Sequence, residues 1–314
     1  MGLWGGFGPS KERSRLLSER IVKVAAVQSE PVWFDLAATT EKTIRLIAEA
    51  AGQGVRLIAF PELWLPGYPV FLWLGDDAWQ AEYRRRYVAQ SAELGGPEHR
   101  AIAAAAKEHG IEVVLGLSER DEAGRIYIAQ WVIDAEGRTA MTRRKLKPPS
   151  LEGEFFSRGD PETNLNVIRT AVGTIGALNC AEHKRPLLRH ILYGKREEIH
   201  VAAWPALGLV PKVVTMSAKV NMGITSAYAS EGGMFVIAAT QVIGPAVLAE
   251  FSDTPERAEK ISRGGGASHI FDPEGQDAVP PLPHDADGLL IAEIDLTKVR
   301  PYFDPDPLEP LPAV

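Results

Sequence analysis

Residues 174–194 read TIGALNCAEHKRPLLRHILYG. The run Thr174–Cys180 is apolar enough for a buried strand. The polar stretch that follows is helix-compatible, with a helix expected over Arg185–Gly194. A strand feeding directly into a helix is the repeating unit of α/β architecture. At the junction stands Cys180, the one cysteine in 314 residues. Free backbone N–H groups and the dipole at a helix start favour a thiolate there, which is where a cysteine nucleophile belongs. The plain alternative is a buried structural thiol, the usual fate of a lone cysteine. Leu187, Leu188, Ile191 and Leu192 fall at helical spacing and are expected to serve the core, whereas His183 and His190 read as surface or helix-face residues.

Outward from this segment, strands and helices alternate. Strands are expected at Ile21–Gln28, Val55–Phe60, Glu112–Leu117, Tyr127–Asp134, Arg138–Lys145, Leu165–Arg169, His200–Trp204, Met234–Ala239, Ser268–Phe271 and Leu290–Asp295. Helices are expected at Leu36–Gly52, Glu98–Gly110 and Val213–Ser230, and Glu62–Asp77, rich in Pro, Gly and aromatics, reads as a loop. Several strand pairs are joined by tight turns, which indicates mixed rather than purely parallel sheets. About a dozen strands are too many for one comfortable sheet, so two sheets packed face to face with helices outside are expected. No composition break marks a boundary. Residues 21–297 read as one domain, preceded by a Gly-rich, charged arm at 1–20 and followed by a Pro-rich tail at 298–314.

The bulk properties exclude several roles. A formal net charge of -7 supplies no basic excess for phosphate, arguing against a nucleic-acid binder. A single cysteine excludes an intramolecular disulfide and any multi-cysteine zinc site, and suits a reducing compartment. No apolar run reaches the roughly 18 residues of a spanning helix, and the first 20 residues lack the apolar core of a signal peptide, so a cytoplasmic setting is expected. The seven histidines form no ligand-spaced cluster, and no metal or organic cofactor is expected.

Two other strand ends carry chemistry. Glu62, after an apolar strand and Pro61, is costly to bury unless used or paired; burial among Phe60, Leu63 and Trp64 would raise its pKa and suit it to a general base. In RRKLK at 143–147, alternation sends Lys145 and Lys147 to one side and Arg144 and Leu146 to the other. Alone, each reads more simply as solvated.

Together they say more. VAAVQSEP (24–31), AFPELWLPGYP (59–69), RRKLKPPSLEGEFFSRGD (143–160), GALNC (176–180), HVAAWP (200–205), YASEGGMFVIAAT (228–240) and GGGASHIFDPEG (264–275) follow one another in an order that resembles the nitrilase superfamily of carbon–nitrogen hydrolases, and within it the true nitrilase branch. The resemblance implies a four-layer α-β-β-α sandwich and a Glu–Lys–Cys triad at Glu62, Lys145 and Cys180, Lys145 rather than Lys147 following the arginine pair. It implies a further acidic residue at Glu152, with Glu154 the weaker match, and a pocket near Ala181, Trp204, Pro205 and Tyr68. The implied chemistry is hydrolysis of a small-molecule nitrile to carboxylic acid and ammonia through a cysteine thioimidate and thioester, with some amide released. The implied assembly is a homodimer or larger spiral.

The sequence departs from that pattern beside the nucleophile. True nitrilases usually carry Cys-Trp-Glu; here the order is Cys180-Ala181-Glu182, with Arg185 where methionine is common and Ser150 where histidine is usual. Ala181 is expected to widen the pocket for bulky or aryl nitriles. Rival readings are an amidase or carbamoylase with the same triad, and a non-catalytic scaffold.

Overall fold

The computed structural model describes residues 20–300. Its strands are β1 (Ile21–Ser29), β2 (Leu57–Ala59), β3 (Glu112–Arg120), β4 (Ile126–Ile133), β5 (Thr139–Arg144), β6 (Ile168–Arg169), β7 (Thr174–Asn179), β8 (Ile199–Trp204), β9 (Phe235–Gln241), β10 (His269–Phe271) and β11 (Gly288–Asp295). They form two leaves, β5-β4-β3-β2-β1-β11 and β6-β7-β8-β9-β10. The leaves join where Gln28 and Ser29, at the end of β1, pair with Thr240 and Gln241 of β9. The longer helices are α1 (Leu36–Gly52), α2 (Asp77–Ala89), α3 (Pro97–His109), α4 (Pro186–Gly194) and α5 (Ala218–Gly232).

The period-2 alternation of the strands builds the layers. On β1, Val24 and Ala26 face the interior between the leaves, where Leu57 and Val114 meet Ala177, Val201 and Ile237. Ala25 and Val27 face outward, against Leu46 and Ile47 of α1 and Ile102 and Ala106 of α3. On the other leaf Leu178, Ala202 and Val236 face Leu192 of α4 and Met222 and Tyr228 of α5. This is the expected α-β-β-α sandwich. Each fully buried aliphatic side chain in these layers contributes about 1.5–3 kcal/mol.

Several local expectations are corrected. The segment at 55–60 pairs only over Leu57–Ala59. The loop after Glu62 contains a 3-10 turn, Val70–Trp73. The helix expected from Val213 begins at Ala218, because the Ser217 side chain accepts from Val220 N and caps it there. Helix α2, which is not among the expected helices, packs an aromatic row of Trp79, Tyr83 and Tyr87 against Phe71 and Phe251, and Asp76 caps it by accepting from Trp79 N. The helix after Cys180 does not start at once. Cys180–Lys184 is a 3-10 turn, Arg185 is extended, and α4 starts at Pro186, a residue suited to the first helical position. On α4, Leu192 is buried, but Leu187 is 78% exposed and Ile191 42%, so neither serves the core. The arm at 1–19 and the tail from 301 lie outside the described residues. Arg20 donates to Leu296 O, and Arg300 N donates to Gly233 O.

The topology gathers the chemistry at one end. β2 runs parallel to β1 and β3, two antiparallel steps return β5 to the same direction, and β7, β8 and β9 run parallel to one another and to β1. The carboxyl ends of β2, β5, β7 and β8 therefore open on one edge of the sandwich, the usual place for a site in open α/β sheets. Gly116 permits the closest approach there, since a Cβ on it would lie 2.0 Å from Pro61 O and 3.1 Å from Glu62 Cα. Replacing Gly116 with alanine is expected to displace the Pro61–Glu62 backbone and destabilise the fold by about 1–3 kcal/mol. Thermal unfolding reads the loss, and an unchanged melting temperature would remove this account of Gly116.

Candidate active site

The loop after β2 is stitched down from both leaves. Glu62 N donates to Trp204 O (3.3 Å), Leu65 N to Gly116 O (3.4 Å) and Ser118 N to Leu65 O (2.7 Å). Gln241 clamps the loop, its Nε2 donating to Glu62 O (2.7 Å) and its Oε1 accepting from Tyr68 N (3.2 Å). Glu62 is consequently buried rather than solvated. Lys145, the residue after β5, is equally buried and donates to Glu62 Oε1 (2.8 Å) and Glu152 Oε2 (2.7 Å). The Tyr68 hydroxyl donates to Glu152 Oε1 (2.7 Å) and accepts from Trp73 Nε1 (3.3 Å). Lys147 and Glu154, the alternatives in sequence, are exposed. Strand β5 ends at Arg144, so the alternation that would have carried Lys147 inward does not continue into Pro148 and Pro149.

Cys180 adopts φ +44, a left-handed conformation that strains a non-glycine residue. Three contacts of the Glu182 carboxylate flank this turn. Glu182 Oε2 accepts from Asn179 N (2.9 Å) and Glu182 Oε1 from Leu146 N (3.0 Å), while Arg143 Nη2 lies 2.8 Å from Glu182 Oε2. Arg143 also donates to Gln130 Oε1 (2.9 Å). Behind the turn, His183 is fully buried, contrary to the surface reading. Its Nδ1 lies 2.9 Å from Cys180 O, its Nε2 is 3.0 Å from His200 Nε2, and His200 Nδ1 is 2.8 Å from Glu197 Oε2. Because Cys180 O can only accept, His183 donates through Nδ1 and accepts at Nε2. His200 then donates from Nε2, and one further proton lies between His200 and Glu197. Trp204, expected in the pocket, instead stacks on His183 (centroids 5.1 Å) and is buried.

The electrostatics follow from burial. Burial pushes Glu62 up to about 8, with the Lys145 charge pulling down and the Glu152 carboxylate pushing up. Burial alone would lower Lys145, but the Glu152 and Glu62 carboxylates outweigh it and hold the ammonium above its ordinary value. The Cys180 thiol is raised well above its usual range, first by burial and then by the Glu62 carboxylate, with Lys145 opposing. A thiolate prepared by a helix dipole is therefore not what this site holds. Glu62 Oε2 accepts no hydrogen bond from any described group.

A cavity of about 410 Å³ opens over Cys180. Ala181, Pro205 and Tyr68 line it as expected, with Trp73, Leu209 and Met216 supplying apolar wall. Lys184 and Asn221 also line it and were not singled out from sequence, nor were Arg143, Gln241 and the buried role of His183. The available signal was the Arg143–Glu182 pair inside the quoted motifs; nothing local marks Gln241 or Asn221. Among the described residues no group of three His, Cys, Asp or Glu side chains is arranged to hold a metal, and no helix is long and apolar enough to cross a membrane.

Residues 23–303 match the family described as carbon-nitrogen hydrolase. A nitrilase of Pseudomonas syringae pv. syringae (strain B728a) is 42% identical over 288 residues, 90% of this chain and 85% of the relative. An arylacetone-specific nitrilase of Alcaligenes faecalis is 42% identical over 283 residues, 90% of this chain and 79% of that one. A bromoxynil-specific nitrilase of Klebsiella pneumoniae subsp. ozaenae is 43% identical over 284 residues, 88% and 78% respectively. In fold, the chain is similar to a carbon-nitrogen hydrolase from Helicobacter pylori G27, with a TM-score of 0.70, 20% identity, and 90% of this chain and 91% of that one covered. With relatives this similar over nine-tenths of its length, the chain belongs to the carbon–nitrogen hydrolase family, as an enzyme of its nitrilase branch.

Proposed function

We propose that residues 21–297 form a single catalytic unit that converts nitriles to carboxylic acid and ammonia through a covalent adduct on Cys180. The observation that carries this reading is the buried Lys145 bridging Glu62 and Glu152, with Glu152 and Cys180 lining one cavity. Glu62 Oε2, free of hydrogen bonds, takes the thiol proton as sulfur attacks the nitrile carbon. The nitrogen gains the charge, and Lys145 stabilises it as a compact cation. Glu62 passes the thiol proton to the nitrogen, which gives the thioimidate and restores the carboxylate. Glu62 then takes a proton from the water that adds to the carbon and returns it to the departing ammonia, and a second water releases the acid from the thioester and restores the thiol. Expulsion of the thiolate from the tetrahedral intermediate gives amide instead. Glu152 and Tyr68 hold Lys145 in place. The small methyl of Ala181 on the cavity wall supports a preference for bulky or aryl nitriles, in keeping with the arylacetone- and bromoxynil-specific relatives. The free thiol suits a reducing, cytoplasmic setting.

The deciding experiment is product analysis on aliphatic, aryl and arylacetonitriles, scoring acid and amide separately beside the matched amides. Native protein should release ammonia from nitriles faster than from amides; the reverse order would make it an amidase. Cys180→Ala should remove turnover altogether, which a scaffold would not register. Ala181→Trp should lower turnover of bulky nitriles more than of small aliphatic ones; equal effects would sink the pocket-size argument.

The pH dependence has a definite sign. Glu62 must be deprotonated to act, and its folded-state pKa is raised to about 8, so the competent form is lost as pH falls below that value. Lys145, held above its ordinary value, stays cationic through the same range. kcat/KM is expected to rise with pH along a limb centred near 8, roughly tenfold per unit at its acid end. A profile already flat from pH 5 upward would contradict a base of raised pKa.

Self-association through α4 is part of the same proposal, because Leu187 and Ile191 present apolar surface with no core role. Leu187→Asp should shift the native oligomer toward a smaller species in light scattering; an unchanged mass would place the interface elsewhere.

A further inference from the structure

Lys184 lines the cavity over Cys180 and has no carboxylate in ion-pair range among the described residues. Its side chain is exposed, and its Nζ donates to Thr215 O at 2.7 Å. Lys184 closes the 3-10 turn that starts at the nucleophile, and Thr215 sits in a second 3-10 turn, Val214–Met216. Both residues line the cavity, so that bond holds the ammonium where two of its lining segments meet. An ammonium has three N–H donors, and Thr215 O takes one. The charge is felt at the sulfur, where Lys184 is among the cations that oppose the rise of the Cys180 thiol. Among the described residues the other charged side chain lining the cavity is Glu152, whose two oxygens are taken by Tyr68 and Lys145. The Ser150 and Thr215 hydroxyls on the wall can give or accept and set no preference for charge, and Trp73, Leu207, Leu209 and Met216 are apolar.

The charge balance therefore differs between the two lysines. Around Lys145 one ammonium faces two carboxylates, Glu62 and Glu152, so an anionic substituent is repelled there once Glu62 is ionised. At Lys184 the cation is unopposed. We infer that Lys184 is a specificity-determining residue that selects nitriles carrying a carboxylate, or another anionic group, at the end remote from the nitrile. The nitrile carbon then lies at Cys180 and the anion at Lys184. Low-dielectric cavity walls make such a charge count for more than it would on open surface. The inference rests on the nitrile-hydrolysing reading above. It adds a demand on substrate charge that neither the Glu62–Lys145–Cys180 cluster nor Ala181 makes.

Matched substrates test this on the native enzyme at about pH 8, where a carboxylate is ionised. ω-Cyano carboxylates of increasing chain length, and aryl nitriles with a carboxylate at each ring position, are compared with the carboxamides of the same shape by following loss of the nitrile. For one pair at least, kcat/KM should favour the carboxylate by about 5-fold or more, the factor of the strongest exposed ion pairs. Added salt should shrink that ratio. Lys184→Met should bring it to about unity or below, and Lys184→Glu should reverse it, favouring a nitrile with an ammonium in place of the carboxylate. A fold merely loosened by substitution would slow charged and neutral substrates alike and leave the ratio where it was. A ratio below about 5-fold in every native pair, or one that survives in Lys184→Met, would overturn the role of Lys184. Calorimetric binding of the same pairs to Cys180→Ala needs no turnover. If no nitrile is hydrolysed, the reaction reading falls. The carboxylate-to-carboxamide binding ratio then still decides for or against Lys184.

Discussion

The ion pair between Arg143 and Glu182 is the constraint on which the site's geometry depends. Both side chains are almost wholly buried. Arg143 lies on β5 two residues before Lys145, on the same face of the strand, and Glu182 lies two residues after Cys180. The pair therefore fixes the ends of two strands from different leaves against each other. Glu182 adds backbone bonds to both sides, from Asn179 N and Leu146 N. Burial would raise the Glu182 carboxyl, but the Arg143 charge and these N–H groups outweigh it and hold it below its ordinary value. A charge-assisted, fully coordinated pair in a dry interior tolerates no slippage, because removing either partner leaves the other uncompensated, at about 3–5 kcal/mol.

The third group is held differently. Glu62 reaches the cluster on a loop anchored by Gly116, Trp204 O and the Gln241 amide. Its backbone is fixed by both leaves, while its carboxylate is fixed only through Lys145 Nζ on Oε1. One oxygen is thus tied and the other is available. The same division recurs at Glu152, where both oxygens are tied, by Lys145 and Tyr68. Two carboxylates at one ammonium are therefore not equivalent. Glu62, raised by burial, is the one with a free oxygen to take a proton.

Much of this was legible in the sequence. The period-2 runs gave the layers, and the three strand-end residues Glu62, Lys145 and Cys180 fell together because β2, β5 and β7 all run in one direction, as the motifs implied. What was not legible has identifiable causes. Helix α2 offers only a thin row of Trp79, Tyr83 and Tyr87 among charged residues, a weak helical signal beside a Pro- and Gly-rich loop. His183 looks like any polar residue after a nucleophile, and only the fold brings His200, Glu197 and the Trp204 ring around it. Trp204 is expected in the pocket with Pro205, but its ring stacks on His183 behind the turn instead. Leu187 and Ile191 match a helical stripe as well as Leu188 and Leu192 do, yet α4 is only nine residues long and meets the sheet along one narrow edge.

The most consequential difference concerns how the thiol is activated. A cysteine at the head of a long helix would ionise through the dipole and wait as a thiolate. Here a five-residue 3-10 turn ends at Lys184, and α4 begins beyond an extended residue, so no long helix points at the sulfur. Burial moves the thiol and Glu62 in the same direction, upward, and the Glu62 carboxylate raises the thiol further while Lys145 opposes both shifts. With Glu62 as carboxylate, the proton stays on sulfur until something shares the charge that its removal creates. A nitrile entering over Lys145 supplies that outlet, since the negative charge leaving sulfur is passed to nitrogen beside the ammonium as the bond forms. Proton transfer to Glu62 and attack on carbon are then coupled by the same low dielectric, and the site is reactive toward a bound substrate while remaining an un-ionised thiol at rest.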